Sequence, residues 1–171
     1  MSEISKLLRE EDEEAYLVVS QKHIVFRISG YYVVSRLLEG DFLDYNAAIP
    51  KISKTTVKIN TRSLTDSVER TSLLISDRLR SPIRLVVTEN KVQLSCSTAM
   101  GKAHDEVDCE VSGEAVSMGF NNKYLLDALK ASDCDMVKLE INGALSPMRM
   151  IPMEGDSFLF LVLPVRVKND D

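Results

Sequence analysis

The sequence predicts an α+β chain built from a repeated unit of one strand, one helix and three strands. Antiparallel sheets are expected on the outside, with the helices together on one face. Three observations carry this reading. Asn60 to Val68 (NTRSLTDSV) matches Asn121 to Leu129 (NNKYLLDAL): each has Asn, then a basic residue, Leu, Asp and a branched aliphatic residue at two-residue steps. Each copy follows a short alternating stretch, Val57-Lys58-Ile59 or Val116-Ser117-Met118, that reads as a strand. Apolar stretches also recur around short polar turns in three places, the mark of hairpins.

Taken in order, the chain opens with SEISKLLREE, where Ile4, Leu7 and Leu8 have helical spacing. The acidic run Glu10 to Glu14 lacks the glycine and ligand periodicity of a calcium loop and reads as a solvated connection. Tyr16 to Ser20, followed by Ile24 and Phe26, forms the first hairpin around Gln21 to His23. Gly40 to Lys54 carries Gly, Pro and Lys punctuation without a period, as a connector does. The boundary is expected near Lys51 to Thr56, so that residues 1–52 are half a domain and 53–171 a whole domain of two units. In that second part Asn60 and Asn121 are candidate N-caps of amphipathic helices about three turns long. Arg84 to Thr88 with Val92 and Leu94 makes a hairpin around Glu89 to Lys91. Lys138 to Asn142 with Leu145 and Met148 makes another around Asn142-Gly143. The first copy of the unit lacks its strand and its Asn, so the chain is expected to be a piece of a longer protein.

Composition narrows the function. A formal charge of -5 and a pI near 5.2 exclude the overall basic signature of a nucleic-acid binder but leave room for a local basic face. No apolar run approaches the roughly 18 residues of a membrane helix, and the first twenty residues are acidic, so no membrane association and a cytoplasmic location are expected. Cys96, Cys109 and Cys134 are odd in number, widely spaced and without a CxxC pair, which suggests reduced thiols rather than a disulfide framework or zinc site. His104-Asp105 near Ser97 has no nucleophile elbow and is not read as a triad. No catalytic residue, metal ligand or cofactor is assigned.

Three separated motifs then point to a family. Ser35-Arg36-Leu37-Leu38-Glu39-Gly40-Asp41-Phe42-Leu43-Asp44-Tyr45 runs through to Ile49-Pro50, Gly119-Phe120-Asn121-Asn122-Lys123-Tyr124-Leu125-Leu126-Asp127-Ala128-Leu129 follows, and Leu163-Pro164-Val165-Arg166-Val167 comes last. In this order, and on a duplicated unit, they resemble the bacterial DNA polymerase III beta subunits, the replicative sliding clamps, across essentially the whole chain. The resemblance implies a clamp fold, covering the second half of the middle domain and the C-terminal domain. It also implies no enzymatic activity and a homodimeric ring when the protein is complete. The implied partners are duplex DNA, encircled without sequence reading, and the polymerase III alpha subunit, the clamp-loader delta subunit and other proteins with clamp-binding motifs.

Three sets of site residues follow from the resemblance. A peptide-binding pocket at the domain junction would use Leu43 and Ala48 from the connector. From the C-terminal domain it would use Asn121, Tyr124, Leu145, Pro147, Leu161, Val162, Leu163, Pro164, Val165 and Arg166. Apolar walls with a few polar groups suit a linear motif, while Phe158 to Phe160 reads as a buried strand. Leu43 and Ala47 stand where many clamps have Pro and Arg, and Arg80 falls where an aromatic can line the pocket. A subunit interface would use Leu74 and Ile75 at a helix end and Asp105, Glu106, Asp108 and Glu110 on an edge strand, although charge on an edge strand also serves against aggregation. A DNA-facing set comprises Lys6, Arg9, Arg62, Arg70, Lys123 and Lys130. With Asp66, Glu69 and Asp127 interleaved, a solvated helix face remains the competing reading. A free-standing protein-interaction module is the competing function.

Overall fold

The chain divides into two units, and alternating burial along the strands with a single buried stripe on each long helix builds the core of the second. Its computed structural model describes residues 2–8, 14–75 and 81–167. The units are Met1–Asp44 and Tyr45–Asp171. Arg9 and Arg80, together with most of the acidic run Glu10 to Glu14, lie outside the described residues.

The first unit contains α1 (Ser2–Ser5), β1 (Tyr16–Val19), β2 (His23–Ile28) and β3 (Tyr31–Arg36). The strands form an antiparallel meander in the order β1-β2-β3. The helical spacing of Ile4, Leu7 and Leu8 yields only one turn, closed by the Leu7 N–H on the Ile4 carbonyl at 3.0 Å. The first hairpin is tighter than expected. Its turn is held by Ser20, whose hydroxyl accepts from the His23 N–H at 3.1 Å, so His23 already belongs to β2.

The second unit runs α2 (Tyr45–Ala48), β4 (Thr55–Asn60), α3 (Thr61–Ser72), β5 (Ile83–Val87), β6 (Lys91–Thr98) and β7 (Gly101–Gly113). It continues with β8 (Val116–Phe120), α4 (Asn122–Ala131), β9 (Met136–Ile141), β10 (Met148–Pro152) and β11 (Phe160–Val162). From β4 onward this is the strand, helix, three-strand unit twice over. The short α2 is new to the connector, where no period marked it. All eight strands join in one antiparallel ladder, β11-β10-β9-β4-β7-β6-β5-β8. Its ends meet through a bridge between Gly119 of β8 and Val165 beyond β11.

Local chemistry explains the two helices. The Asn60 side-chain oxygen accepts from the Ser63 N–H and that of Asn121 from the Lys123 N–H, both at 2.9 Å, satisfying donors the first helical turn leaves open. Leu64 and Val68 of α3, and Leu125 and Leu129 of α4, face the core with at most 1% exposure. The helices pack beside each other, and Lys130 of α4 reaches Glu69 of α3 at 2.7 Å. Inward Val57, Ile59, Leu85, Leu94, Phe120 and Leu139 complete one hydrophobic cluster.

Two elements differ from expectation. The acidic strand is not a simple edge: Gly101–Asp108 of β7 pairs with β6, and Cys109–Gly113 then pairs with β4, so β7 is interior in the ladder. A strand of 13 residues is long enough to serve both neighbours in turn. Along Gly101–Asp108, no described strand pairs on the side away from β6. The third hairpin has a six-residue loop, 142–147, in place of a tight Asn-Gly turn, and Leu145 sits in it 70% exposed. Pro147 within the loop cannot donate to a ladder, and β10 first pairs with β9 at Arg149↔Glu140.

Candidate functional site

The clearest concave apolar surface of the second unit is built where α4 meets β11 and the chain beyond it. Asn121 caps α4 and sets its start, so that Tyr124, Asp127 and Ala128 share a face three and four residues apart. β11 pairs with β10 through Met148↔Val162 and Met150↔Phe160, which places Phe160, Leu161 and Val162 alongside. Pairing stops at Val162, and Leu163 and Pro164 cross to the bridge at Val165. The resulting cavity of about 580 Å³ is lined by Tyr124, Asp127, Ala128 and the run Leu159 to Val165.

Its walls are apolar and its mouth is wet. Val162 is buried at 3% exposure, while Tyr124 and Leu163 remain 61% and 65% exposed. Large exposed apolar groups around a buried floor can desolvate an aliphatic or aromatic side chain of an incoming peptide. Asp127 supplies the one carboxylate of the lining.

The structure brings together six of the residues singled out in the sequence: Tyr124, Leu161, Val162, Leu163, Pro164 and Val165. Leu145 and Arg166 line a neighbouring cavity with Gly119 and Val165, across the terminal segment from the first. Asn121 acts as the helix cap, and Pro147 lines neither cavity. Ala48 is exposed in α2, and Leu43, 74% exposed, belongs to the first unit. Sequence reasoning missed Asp127, Ala128, Leu159 and Phe160. Helical spacing from Tyr124 marks the first two. Leu159 and Phe160 were hidden by an unbroken apolar run that reads as a buried strand. The structure differs: the strand begins only at Phe160, Leu159 is 43% exposed, and Phe158 stacks on Phe160 with ring centres 4.9 Å apart.

The acidic strand is threaded by ion pairs. Arg70 of α3 meets Asp105 at 2.7 Å, Lys58 of β4 meets Glu110 at 3.1 Å, and Lys91 of β6 bonds Glu106. Partial burial pushes the Asp105 carboxyl up, but Arg70, the Ser67 hydroxyl and the Glu106 backbone N–H together outweigh it and hold the group below its ordinary value. The hydrogen bond and charge of Glu106 raise Lys91. His104 and Asp105, adjacent on a strand, point to opposite faces, so no triad forms with Ser97. Leu74 and Ile75 follow the end of α3, both half-buried.

Among the cations singled out for DNA, Lys6 pairs with Glu3 at 2.6 Å, Arg70 with Asp105 and Lys130 with Glu69. Arg62 and Lys123 stand at equivalent positions, two residues after each cap, exposed and without an ion pair among the described residues. The three thiols are unpaired, and burial raises those of Cys96 and Cys109. No described group of His, Cys, Asp or Glu side chains is arranged to hold a metal ion. No helix of the described residues is long and apolar enough to cross a membrane.

Known proteins share this architecture. The sequence model of the family described as "DNA polymerase III beta subunit, C-terminal domain" matches residues 46–166. The chain is 32% identical over 168 residues to the beta sliding clamp of Staphylococcus epidermidis, covering 97% of this chain and 45% of that protein. It superposes on the DNA polymerase sliding clamp of Bacillus subtilis with a TM-score of 0.87 at 28% identity, over 98% of this chain and 45% of that one. A sliding clamp from Bartonella birtlesii, solved bound to griselimycin, gives 0.87 at 27% identity over 97% and 45%. The chain thus spans less than half the length of these relatives.

Proposed function

The chain belongs to the DNA polymerase III beta subunit family, and from that premise we propose that it is part of a sliding clamp, a non-catalytic processivity factor that tethers DNA polymerase III to duplex DNA. Residues 1–52 correspond in this reading to the C-terminal half of a clamp middle domain and 53–171 to the C-terminal domain. A clamp accelerates synthesis by holding the polymerase near its template, which raises effective concentration and lowers no chemical barrier. The family match favours this over a free-standing interaction module.

The observation that carries the reading is the apolar cavity between Tyr124 and Leu163, open at the surface and floored by Val162. It suits the anchor side chains of short motifs carried by the polymerase alpha subunit, the clamp-loader delta subunit and similar cytoplasmic partners. Ala48, Asn121, Leu145, Pro147 and Arg166 would extend the same peptide site or support it. Leu74, Ile75 and the acidic residues Asp105, Glu106, Asp108 and Glu110 would belong to the subunit interface of a homodimeric ring, where the open side of Gly101–Asp108 offers backbone groups to a partner strand. Lys6, Arg9, Arg62, Arg70, Lys123 and Lys130 would be the cations that meet DNA phosphates without reading bases.

Amide chemical-shift mapping tests the peptide site. A peptide beginning with Gln and carrying Leu-Phe near its end is expected to shift Tyr124, Leu161 and Leu163. Shifts confined to other surfaces would overturn the assignment.

A further inference from the structure

A second cavity of about 580 Å³ lies on the opposite side of the sheet from the core, and its chemistry is the reverse of the first. Arg84, Lys102, His104 and Arg166 line it with the hydroxyls of Ser95 and Ser97, and no carboxylate is among its lining residues. Strand register assembles the group. Arg84 stands opposite Ser95, and Ser95 opposite His104; directly opposed residues share a face. Two positions along, Ser97 stands opposite Lys102, and the two-residue period keeps that pair on the same face. Leu94 and Cys96, which alternate with the serines, are buried. The row continues from Arg84 to Gly119, and from Gly119 to the bridge at Val165, which brings Arg166 to the cavity.

Among the described residues the charge here is uncompensated. Lys58, Arg70, Lys91, Lys130 and Arg149 each pair with a carboxylate. Among the described residues, Arg84, Lys102, His104 and Arg166 pair with none. The Arg84 Nε–H donates to the Ser117 hydroxyl at 3.0 Å, which holds the stem and leaves both Nη nitrogens for a ligand. On a chain of net charge -5, three permanent cations around one concavity repel each other, and a bound anion relieves that repulsion.

We propose that this cavity is an anion site for a phosphate-bearing ligand, distinct from the apolar cavity beside Tyr124 and bordering, through Arg84 and Arg166, the cavity that Leu145 lines. Donors arrive from three strands and the terminal segment, so they approach from several directions. That set exceeds what the two coplanar oxygens of a carboxylate accept, and it suits the tetrahedral oxygens of a phosphate. Arginine supplies a planar fork, lysine a point charge and the serines neutral donors.

The test is a titration of the isotope-labelled full chain with inorganic pyrophosphate, ADP and tri-glutamate at constant ionic strength, followed by amide chemical shifts. Pyrophosphate is expected to shift Ser95, Ser97 and Lys102 saturably while Tyr124 and Leu163 stay unmoved. An Arg84→Gln, Lys102→Gln double variant should bind about tenfold or more weakly, since two charge-assisted contacts are lost. Both side chains are exposed, so the variant keeps its fold, and its unshifted amides elsewhere check this. Equal binding of ADP and pyrophosphate supports recognition of the phosphates alone, and tighter ADP binding supports a nucleotide. Tri-glutamate binding more tightly than pyrophosphate, shifts centred on Arg62 and Lys123, or equal affinity in the double variant would overturn the proposal.

Discussion

Val165 lies directly over Gly119: its N–H donates to the Gly119 carbonyl at 2.8 Å, and a Cβ placed on Gly119 would stand 2.6 Å from the Val165 carbonyl oxygen and 2.3 Å from Val167 Cγ2. No L side chain fits that space without moving the terminal segment. The glycine therefore fixes where Leu163, Pro164 and Arg166 sit, and through them both cavities.

Gly119→Ala is accordingly expected to cost about 1–3 kcal/mol, the usual range for overpacking, and to free the Val165 amide for faster hydrogen exchange. Denaturant unfolding and exchange rates read the two effects. Wild-type stability and protection in the variant would show that the terminal segment is held elsewhere.

The two helix caps are equivalent in sequence but not in bonding. Asn60 also accepts from the Ser63 hydroxyl at 3.0 Å and donates to the Asp135 carbonyl at 3.1 Å, whereas the bond from the Lys123 N–H is the side-chain bond formed by Asn121. Both Asn→Ala changes should destabilise by about 0.5–2 kcal/mol, with Asn60→Ala toward the upper end. Urea midpoints compare them directly, and a costlier Asn121→Ala would contradict the ranking.

Asp105 gives the stability a pH dependence of known sign. Its folded carboxyl titrates below the ordinary value, so the native state holds the charged form more tightly than the unfolded chain does. That contribution is complete above the unfolded value of about 4 and is lost as the pH falls through the lower folded value. Asp105→Asn should therefore be less stable than wild type at neutral pH, by under about 1 kcal/mol because Arg70 is largely exposed. The gap should close in strong acid. Thermal unfolding of both proteins across pH 2–7, in the span these ionisations cover, checks it.

Much of the fold was legible because its signals are local. The 61-residue offset between Asn60 and Asn121 places both caps, both helices and the strands before them. The site was legible in part. Leu161 to Val165 follow from the resemblance and from Pro164, but Leu159 and Phe160 sit in an apolar run whose periodicity cannot distinguish a wall from a core. The double pairing of β7 and the six-residue loop after β9 depend on contacts far away in sequence, which no local pattern carries. The ion pairs that occupy Arg70 and Lys130 were hidden for the same reason.

Those ion pairs bear on DNA. With Arg70 and Lys130 partly neutralised, Arg62 and Lys123 would be, in the clamp reading, the cations of α3 and α4 left for phosphate contact. This chain should bind linear duplex DNA weakly and lose that binding within a modest rise in salt, because few counterions are released. Arg62→Ala with Lys123→Ala should flatten the salt dependence by a slope of about 2. Fluorescence anisotropy over a salt series measures both, and tight salt-resistant binding would contradict tethering by ring closure.

The most direct test of the clamp reading is a fluorescence-polarisation titration of a labelled clamp-binding peptide, Gln first and Leu-Phe near its end, against wild type and Leu163→Asp. Leu163 is 65% exposed in the free chain, so the substitution leaves the fold intact, as circular dichroism would verify. In the complex the new carboxylate would be desolvated against an apolar anchor, which costs several kcal/mol, or a loss in affinity of about a hundredfold or more. Equal affinities for two folded proteins would place the peptide site elsewhere and contradict the account.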